Sequence, residues 1–113
     1  MNYTEIYEKN GLSYFKDRKF EATDIKDLGS YSIPRDVNKL IFKEFNKGYK
    51  IDWHNPSCKQ YIIYLSGELE VEVSGGEKKF FKQGDVLLLN DESGKGHTTR
   101  VIETGRAFVI TVN

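Results

Sequence analysis

The chain has two histidines, His54 and His97, and the residues around them predict one polar site. Imidazole nitrogens bind metals and carry protons near neutral pH. Cys58 and Gln60 follow His54 at even spacing, so an extended backbone would turn all three side chains to one face. The turn-forming stretch Asn55-Pro56-Ser57 can interrupt this alternation, which bears most on Cys58. We expect His54, Gln60 and His97 to face one cavity, with Cys58 as a further candidate.

Each of these residues also has a purely structural interpretation. His54 can cap a strand end, His97 can hydrogen-bond the loop that it terminates, and Gln60 can satisfy buried backbone groups. Cys58 can be an inert small apolar residue. Asp91 and Glu92 form either a carboxylate pair at the pocket rim or part of a polar surface loop.

Short strands bounded by turn residues must position the site. The clearest is Glu68–Val73, where Leu69, Val71 and Val73 alternate with three glutamates. Other strand-like segments are predicted at Gln60–Leu65, Glu77–Lys82, Val86–Leu89, His97–Glu103 and Arg106–Val112, and upstream at Leu12–Ile25 and Lys39–Phe45. Turns every ~8–12 residues are typical of an all-β sandwich or barrel.

Two strands are apolar without alternation, Gln60–Leu65 and Val86–Leu89, so we expect both of their faces to be covered. Either the N-terminal segment or a second subunit must pack outside Gln60–Leu65. On the last two strands, Thr99 and Val101 should share the face of His97, whereas Arg100 should point away from the cavity. Phe108 should share a face with Ile110 and Val112.

The composition excludes several classes of binding partner. With 113 residues the chain suits one domain, and 17 basic residues balance 17 acidic ones, so we expect no nucleic-acid partner and no membrane partner. One cysteine allows no internal disulfide, and the polar start has no signal-peptide core. These observations predict a cytoplasmic protein.

Five residues at characteristic spacing resemble the two motifs of the cupin superfamily. Gly48, His54 and Gly67 match the first motif, and Gly84 and His97 match the ends of the second. The surrounding segments LSGELEVEV, GDVLLL and GKGHTTR are similar in sequence to small single-domain cupins of mostly unassigned activity. The resemblance implies an all-β, antiparallel jelly-roll barrel or sandwich, a single cupin domain over 1–113 with N-terminal strands over 1–47 and the motifs over 48–113, and a homodimer.

The chain departs from the cupin metal site at two positions. Pro56 stands where the first motif has its second histidine, and Gln60 stands where it has a glutamate. The resemblance implies a divalent metal, zinc, manganese, iron or nickel, held by His54, His97 and Gln60 with Cys58 as a further ligand. An amide oxygen is a neutral, weak ligand, so a pocket without metal is the competing expectation.

Three functions follow as hypotheses. The first is a binding module with apolar walls that holds a small polar molecule against His54, Gln60 and His97; its walls are expected from Ile62, Tyr64, Leu69, Phe42 and Phe108. The second is an enzyme of the isomerase, epimerase or dioxygenase type, with His54 and His97 as catalytic candidates. The third is a homodimer formed through Gln60–Leu65 with a vestigial pocket.

Overall fold

A computed structural model describes all 113 residues, and its regular structure consists of twelve β-strands. No helix in it is long and apolar enough to span a bilayer. The strands are β1 Asn2–Lys9, β2 Leu12–Lys19, β3 Asp24–Lys26, β4 Gly29–Tyr31, β5 Lys39–Phe45, β6 Lys50–His54, β7 Gln60–Tyr64, β8 Glu68–Val73, β9 Lys78–Lys82, β10 Val86–Asn90, β11 His97–Glu103 and β12 Gly105–Thr111. The all-β prediction is confirmed.

Two sheets enclose the core. The larger sheet has the order β2-β1-β10-β7-β12-β5, and the smaller has the order β6-β11-β8-β9. The sheets do not close into a barrel. At one side of the molecule they end in β5 and β6, the last strands of their respective sheets.

Strand β8 shows how alternation builds the core. Leu69, Val71 and Val73 are buried, as the sequence predicts, and pack between the sheets with Phe81 of β9. The glutamates between them are half-buried rather than fully exposed. Burial of one apolar row on each strand supplies the main driving force for joining the two sheets.

Strand β1 is a feature that the sequence did not reveal, and it departs from a purely antiparallel arrangement. It pairs parallel to β10, with Ile6 opposite Leu89, and antiparallel to β2. A parallel pair needs a long crossover connection, and here most of the chain lies between the two strands. The N-terminal hairpin, β1 and β2, therefore forms one edge of the larger sheet, next to β10.

Strand β7 is covered on both faces, as expected. Ile62 and Tyr64 are buried between the sheets. On the outer face, the Tyr61 ring lies 5.9 Å from Tyr3 and 5.8 Å from Phe20, measured between ring centroids. The N-terminal segment thus provides cover outside β7. Strand β10 is likewise buried on both faces at its three leucines.

The segment Leu12–Ile25 is not one strand. Strand β2 ends at Lys19, and β3 pairs only with β4 in a separate hairpin. All residues from 21 to 44 are exposed, including Ile25 at 82% and Leu28 at 102%. Apolar side chains on this hairpin find no partner within the chain, so intrachain packing does not hold it against the sheets.

Candidate functional site

His54 and His97 lie beside each other on neighbouring strands. They face each other in the antiparallel register of β6 and β11, and their ring centroids are 4.5 Å apart with an interplanar angle of 62°. The register shifts between His97 and Thr99, so the ladder is irregular at this point. Bulges of this kind often aim a side chain at a functional site. The structure thus brings the two histidines together.

Gly96 allows this close approach. Its φ is +81°, and a Cβ at this position would overlap the carbonyl oxygen of His54. Only glycine adopts such a backbone without steric cost while leaving room for the neighbouring strand. The glycine before His97 is therefore needed to seat the strand that carries His54.

A buried carboxylate holds His97. The Nδ1 atom of His97 lies 2.7 Å from Oδ2 of Asp91, and the hydroxyl of Ser13 donates to the same oxygen, also at 2.7 Å. Asp91 is 0% exposed and His97 1% exposed. Because an ionised carboxylate only accepts hydrogen bonds, the contact places the proton of a neutral imidazole on Nδ1. The Nε2 nitrogen of His97 is then the one free to act as a base.

Asp91 was expected at a pocket rim or in a surface loop with Glu92, and both expectations are wrong for Asp91. Glu92 is exposed, whereas Asp91 is fully buried. Leu87 and Leu89 face inward, and position 91 continues their alternation. The sequence did not show this, because the run Val86–Leu89 is apolar at every position. It gave no signal for Ser13 either, since Ser13 comes from the N-terminal hairpin.

The loop before His97 is fixed by Asn55. Its side-chain amide donates to the backbone oxygen of Asp91 at 2.9 Å and to that of Gly94 at 3.1 Å. Asn55 directly follows His54, so this side chain ties the end of β6 to the loop that carries Asp91. Asn55 therefore fixes the end of β6, which carries His54, relative to the loop that precedes His97.

The environment of His54 favours its neutral form. Burial lowers the pKa of His54 below its usual value of 6.5, and the nearby His97 ring acts in the same direction. A hydrogen bond between Nδ1 and the backbone oxygen of Asp52, at 2.8 Å, opposes the shift without reversing it. His54 is therefore mostly neutral at pH 7.

Gln60 lines a cavity together with the two histidines, but Cys58 does not. The Gln60 amide nitrogen donates to the backbone oxygen of Cys58 at 2.9 Å, which leaves the amide oxygen for other partners. The Cys58 side chain is absent from the cavity lining, although Pro56 and Ser57 contribute to it. The expectation that Cys58 lines the cavity is wrong, because residues 55–59 lie outside the strands and the backbone bends at Ser57 and Cys58, which breaks the alternation. The Sγ atom of Cys58 lies 3.9 Å from Nε2 of Gln60.

A cavity of about 220 Å³ lies between the sheets beside these residues. His54, His97 and Gln60 line it together, with Ile62, Tyr64 and Leu69 among its apolar walls, as predicted. Burial raises the pKa of the Tyr64 phenol above its usual value, so this ring stays neutral. The arrangement combines an apolar wall with a few converging polar groups, which is the common pattern of small-molecule sites.

Phe42 and Phe108 were expected in the cavity wall, and this expectation is wrong. They pair in register on β5 and β12, with ring centroids 5.4 Å apart. Their inward neighbours on β12 are the buried Ala107 and Val109, so the two rings lie on the outer face of the sheet. Phe42 is 75% exposed.

The donor set does not fit a divalent metal well. No group of three or more histidine, cysteine, aspartate or glutamate side chains is placed to hold an ion. Both imidazoles have Nδ1 in hydrogen bonds, so two Nε2 atoms and the Gln60 amide oxygen are the available ligands. This set lacks an anionic ligand, whereas iron, manganese and zinc sites usually contain one or a third imidazole.

Arg100 lies on the opposite face of β11 from the site. It is exposed and lies 3.2 Å from the carboxylate of Glu70 on β8. Its outward orientation was predicted from the alternation with His97 and Thr99, and the prediction is confirmed.

No protein-family model matches the chain. A curated relative, Oryzines biosynthesis cluster protein J from Aspergillus oryzae, is 34% identical over 59 residues, which cover 52% of this chain and 31% of that protein. The matched part thus spans about a third of the relative's length.

Two solved structures share the fold. A conserved protein of unknown function from Streptococcus pyogenes superposes with a TM-score of 0.55 at 18% identity, over 73% of this chain and 69% of that one. A protein from Neisseria meningitidis gives a TM-score of 0.50 at 13% identity, over 97% and 82% of the two chains. At such identities the likeness concerns the fold alone.

Proposed function

We propose that the chain is a small-molecule-binding protein of the cupin type, and that its ligand occupies the cavity between the sheets. The observation that carries the proposal is the convergence of His54, His97 and Gln60 on one cavity of about 220 Å³. The cavity holds roughly seven water molecules at ~30 Å³ each. This volume suits a small polar metabolite and is too small for a nucleotide or an oligosaccharide.

The donors and acceptors around the cavity support a polar ligand. The Nε2 atoms of the two histidines and the amide oxygen of Gln60 are free of the hydrogen bonds that hold those side chains in place. Asn55 holds the loop that carries Asp91, and Asp91 holds the His97 ring through its Nδ1 atom. A site whose polar groups are positioned before binding loses less entropy when the ligand arrives.

The relative's printed name supports the same class of function. It assigns that protein to a biosynthesis cluster, which is a setting of small-molecule metabolism. We propose a role beside small-molecule metabolism for this chain as well. The residues of the cupin-like motifs are the part of the chain on which the family proposal depends.

A second function is favoured by one specific contact, the buried pair of Asp91 and His97. In an isomerase or epimerase, Nε2 of His97 would take a proton from a carbon next to a carbonyl group, and the electron pair would move to the carbonyl oxygen. Return of a proton to carbon completes the exchange. A metal held by His54, His97 and Gln60, as in a dioxygenase, is the weaker proposal because the donor set lacks an anionic ligand.

The binding proposal is tested by titrating a panel of polar metabolites small enough for the cavity. Ring-proton shifts of His54 and His97 report binding at the site, and thermal unfolding reports stabilisation, about 2.7 kcal/mol at a ligand concentration 100 times Kd. His97→Gln and Gln60→Ala should weaken binding by at least about tenfold, since each removes a polar partner.

Arg100→Gln is the matched control, because Arg100 lies on the same strand as His97 and faces away. Binding that responds equally to Arg100→Gln would place the ligand elsewhere. The enzyme alternative is tested with the same ligands in deuterium oxide. Deuterium incorporation next to a carbonyl that disappears in Asp91→Asn would support it, and incorporation without any dependence on His97 would refute it.

A further inference from the structure

Lys43 is a cation on the inward side of β5, although the residue as a whole is exposed. It lies on β5 in register with Ala107 of β12, which in turn pairs with Tyr64 of β7. Phe45, two residues further along β5, is buried in the core, so Lys43 shares the inward face. Lys43 accordingly lines the same cavity as the two histidines.

Lys43 lies on β5, the last strand of the larger sheet. It also lines an adjoining cavity of about 230 Å³, which shares Ile51, Leu69 and Thr99 with the first. Strands β5 and β6 bound one side of the sandwich, since each is the last strand of its sheet. Lys43 therefore lies where the two cavities adjoin.

Nothing in the chain neutralises this lysine. Lys43 forms no ion pair and no side-chain hydrogen bond, whereas six other lysine and arginine side chains pair with carboxylates, namely Arg18, Lys26, Lys47, Lys50, Lys79 and Arg100. The residues that line the histidine cavity include no aspartate and no glutamate. The adjoining cavity includes Glu44, which is on the other face of β5 and in register with Arg106.

The pKa of the Lys43 amine also reflects the lack of an acidic partner. Although part of Lys43 remains exposed, burial lowers the pKa of its amine, and no acidic group opposes the shift. An unpaired ammonium in a partly desolvated position is unfavourable for the free protein. An anionic ligand would remove this unfavourable state on binding.

We infer that the cavity takes a small carboxylate-bearing molecule, with its carboxylate at Lys43 and its polar remainder at His54, His97 and Gln60. The inference rests on the proposed binding function and adds the charge of the ligand. A charge-assisted hydrogen bond from an ammonium to a carboxylate is about twice as strong as a neutral one. The cavity volume of about 220 Å³ matches a small organic acid.

The test compares small carboxylates with their neutral amides. The probes are glycolate, lactate, 3-hydroxypropionate and 3-hydroxybutyrate, each paired with the corresponding amide, in a buffer free of other carboxylates. Binding is followed through the ring-proton shifts of His54 and His97 up to about 10 mM. We expect each carboxylate that fits to bind at least about tenfold more tightly than its amide.

Three variants assign the preference to one residue. Lys43→Met keeps the length of the side chain without its charge and should reduce the affinity for carboxylates to that for amides. Lys43→Arg should retain the preference. Lys47→Met is the control, because Lys47 is a surface residue four positions away and outside the cavity lining; it should leave both affinities unchanged. Thermal unfolding checks that every variant is folded.

The outcomes separate the inference from the proposed function. Amides that bind as tightly as carboxylates would overturn the inference while supporting a ligand site at the histidines. A carboxylate preference that survives in Lys43→Met would also overturn it. If neither series shifts the histidine signals, the inference fails, and the proposed function is then decided by the metabolite panel. A preference lost in Lys43→Met alone supports the inference.

Discussion

His54 and His97 are 43 positions apart in the sequence and directly opposite each other in the register of β6 and β11, with ring centroids 4.5 Å apart. Two positive charges at this separation repel each other, and both rings are shielded from solvent to different extents. The nearby His97 ring therefore contributes to lowering the pKa of His54. This relationship determines how the site responds to acid.

We predict that His54 makes folding stability dependent on pH. Its pKa is lowered in the folded chain from an unfolded value of 6.5, first by burial and then by His97. The unfolded chain therefore binds more protons between the two pKa values. The free energy of unfolding should fall as pH drops below 6.5 and should level off below the folded pKa.

Urea unfolding at about pH 7.5 and about pH 5.5 measures this dependence. The decrease should be larger for the natural chain than for His54→Gln, which has no titrating group at this position. An equal decrease in both chains, or a His54 pKa at or above 6.5 in a proton NMR titration, would contradict the prediction.

Asp91→Asn should change the tautomer of His97. The carboxylate holds the proton on Nδ1, whereas an amide can either donate to that nitrogen or accept from it. We expect a mixture of Nδ1–H and Nε2–H forms, and a loss of about 1 to 3 kcal/mol in the free energy of unfolding, because a buried charge-assisted bond is lost. Long-range proton–nitrogen correlation spectra identify the tautomers.

Ser13→Ala is a useful companion to this variant. It removes one hydrogen bond to the same carboxylate oxygen and leaves the contact with His97 in place. It should lower stability without changing the tautomer. If Asp91→Asn keeps His97 wholly in the Nδ1–H form, other contacts set the tautomer and the carboxylate is not needed for it.

Gly96→Ala should destabilise the chain and move β6. The added Cβ would overlap the His54 carbonyl, and the positive φ adds a backbone cost of about 1 to 3 kcal/mol. Gly84→Ala is the matched control, since its φ is +89° and nothing lies within 4 Å of its Cβ position. The difference in melting temperature between the variants isolates the contact. Equal melting temperatures would show that β6 adjusts without cost.

Gln60→Glu should increase the affinity for a divalent metal. It places a carboxylate beside the two imidazoles and restores the ligand type that the cupin motif carries at this position. We expect zinc or manganese affinity to rise by at least about tenfold, measured by calorimetry. Gln83→Glu adds the same charge in an exposed turn and should have no effect. An unchanged affinity in Gln60→Glu would show that the three side chains do not converge closely enough to chelate.

We also predict that the chain is a homodimer in solution. Exposed apolar side chains lie on the outer face of β5, at Leu40 and Phe42, and on the β3–β4 hairpin, at Ile25 and Leu28. Light scattering should give twice the chain mass of 13.1 kDa. Phe42→Glu should produce monomer, whereas Phe80→Glu, an exposed phenylalanine on β9, should not. A monomeric natural chain at micromolar concentration would rule out the prediction.

The strands that the sequence predicted well are those whose evidence is local. Glu68–Val73, His97–Glu103 and Lys39–Phe45 have the predicted bounds, because alternation of side chains is visible in a short stretch of chain. Alternation also placed Arg100 outside. It does not say which face of a strand is the inner one, and for that reason Phe42 and Phe108 were assigned to the wrong side.

The parts of the site that escaped prediction depend on contacts between distant segments. The hydrogen bond from Ser13 to Asp91 and the parallel pairing of β1 with β10 leave no periodic trace in either segment. Lys43 was missed for another reason. A lysine in a strand is ordinarily a solvent-facing residue, and only the register with Ala107 shows that this one faces the cavity.

The hydrogen bond between Ser13 and Asp91 joins residues 78 positions apart in the sequence. Contacts of such high sequence separation raise the contact order and form only after a long loop has closed. The N-terminal hairpin must therefore dock before the carboxylate behind His97 has both of its partners. The imidazole signals of His97 during refolding should accordingly report the completion of the whole fold, since they become native only when the first and last thirds of the chain have met.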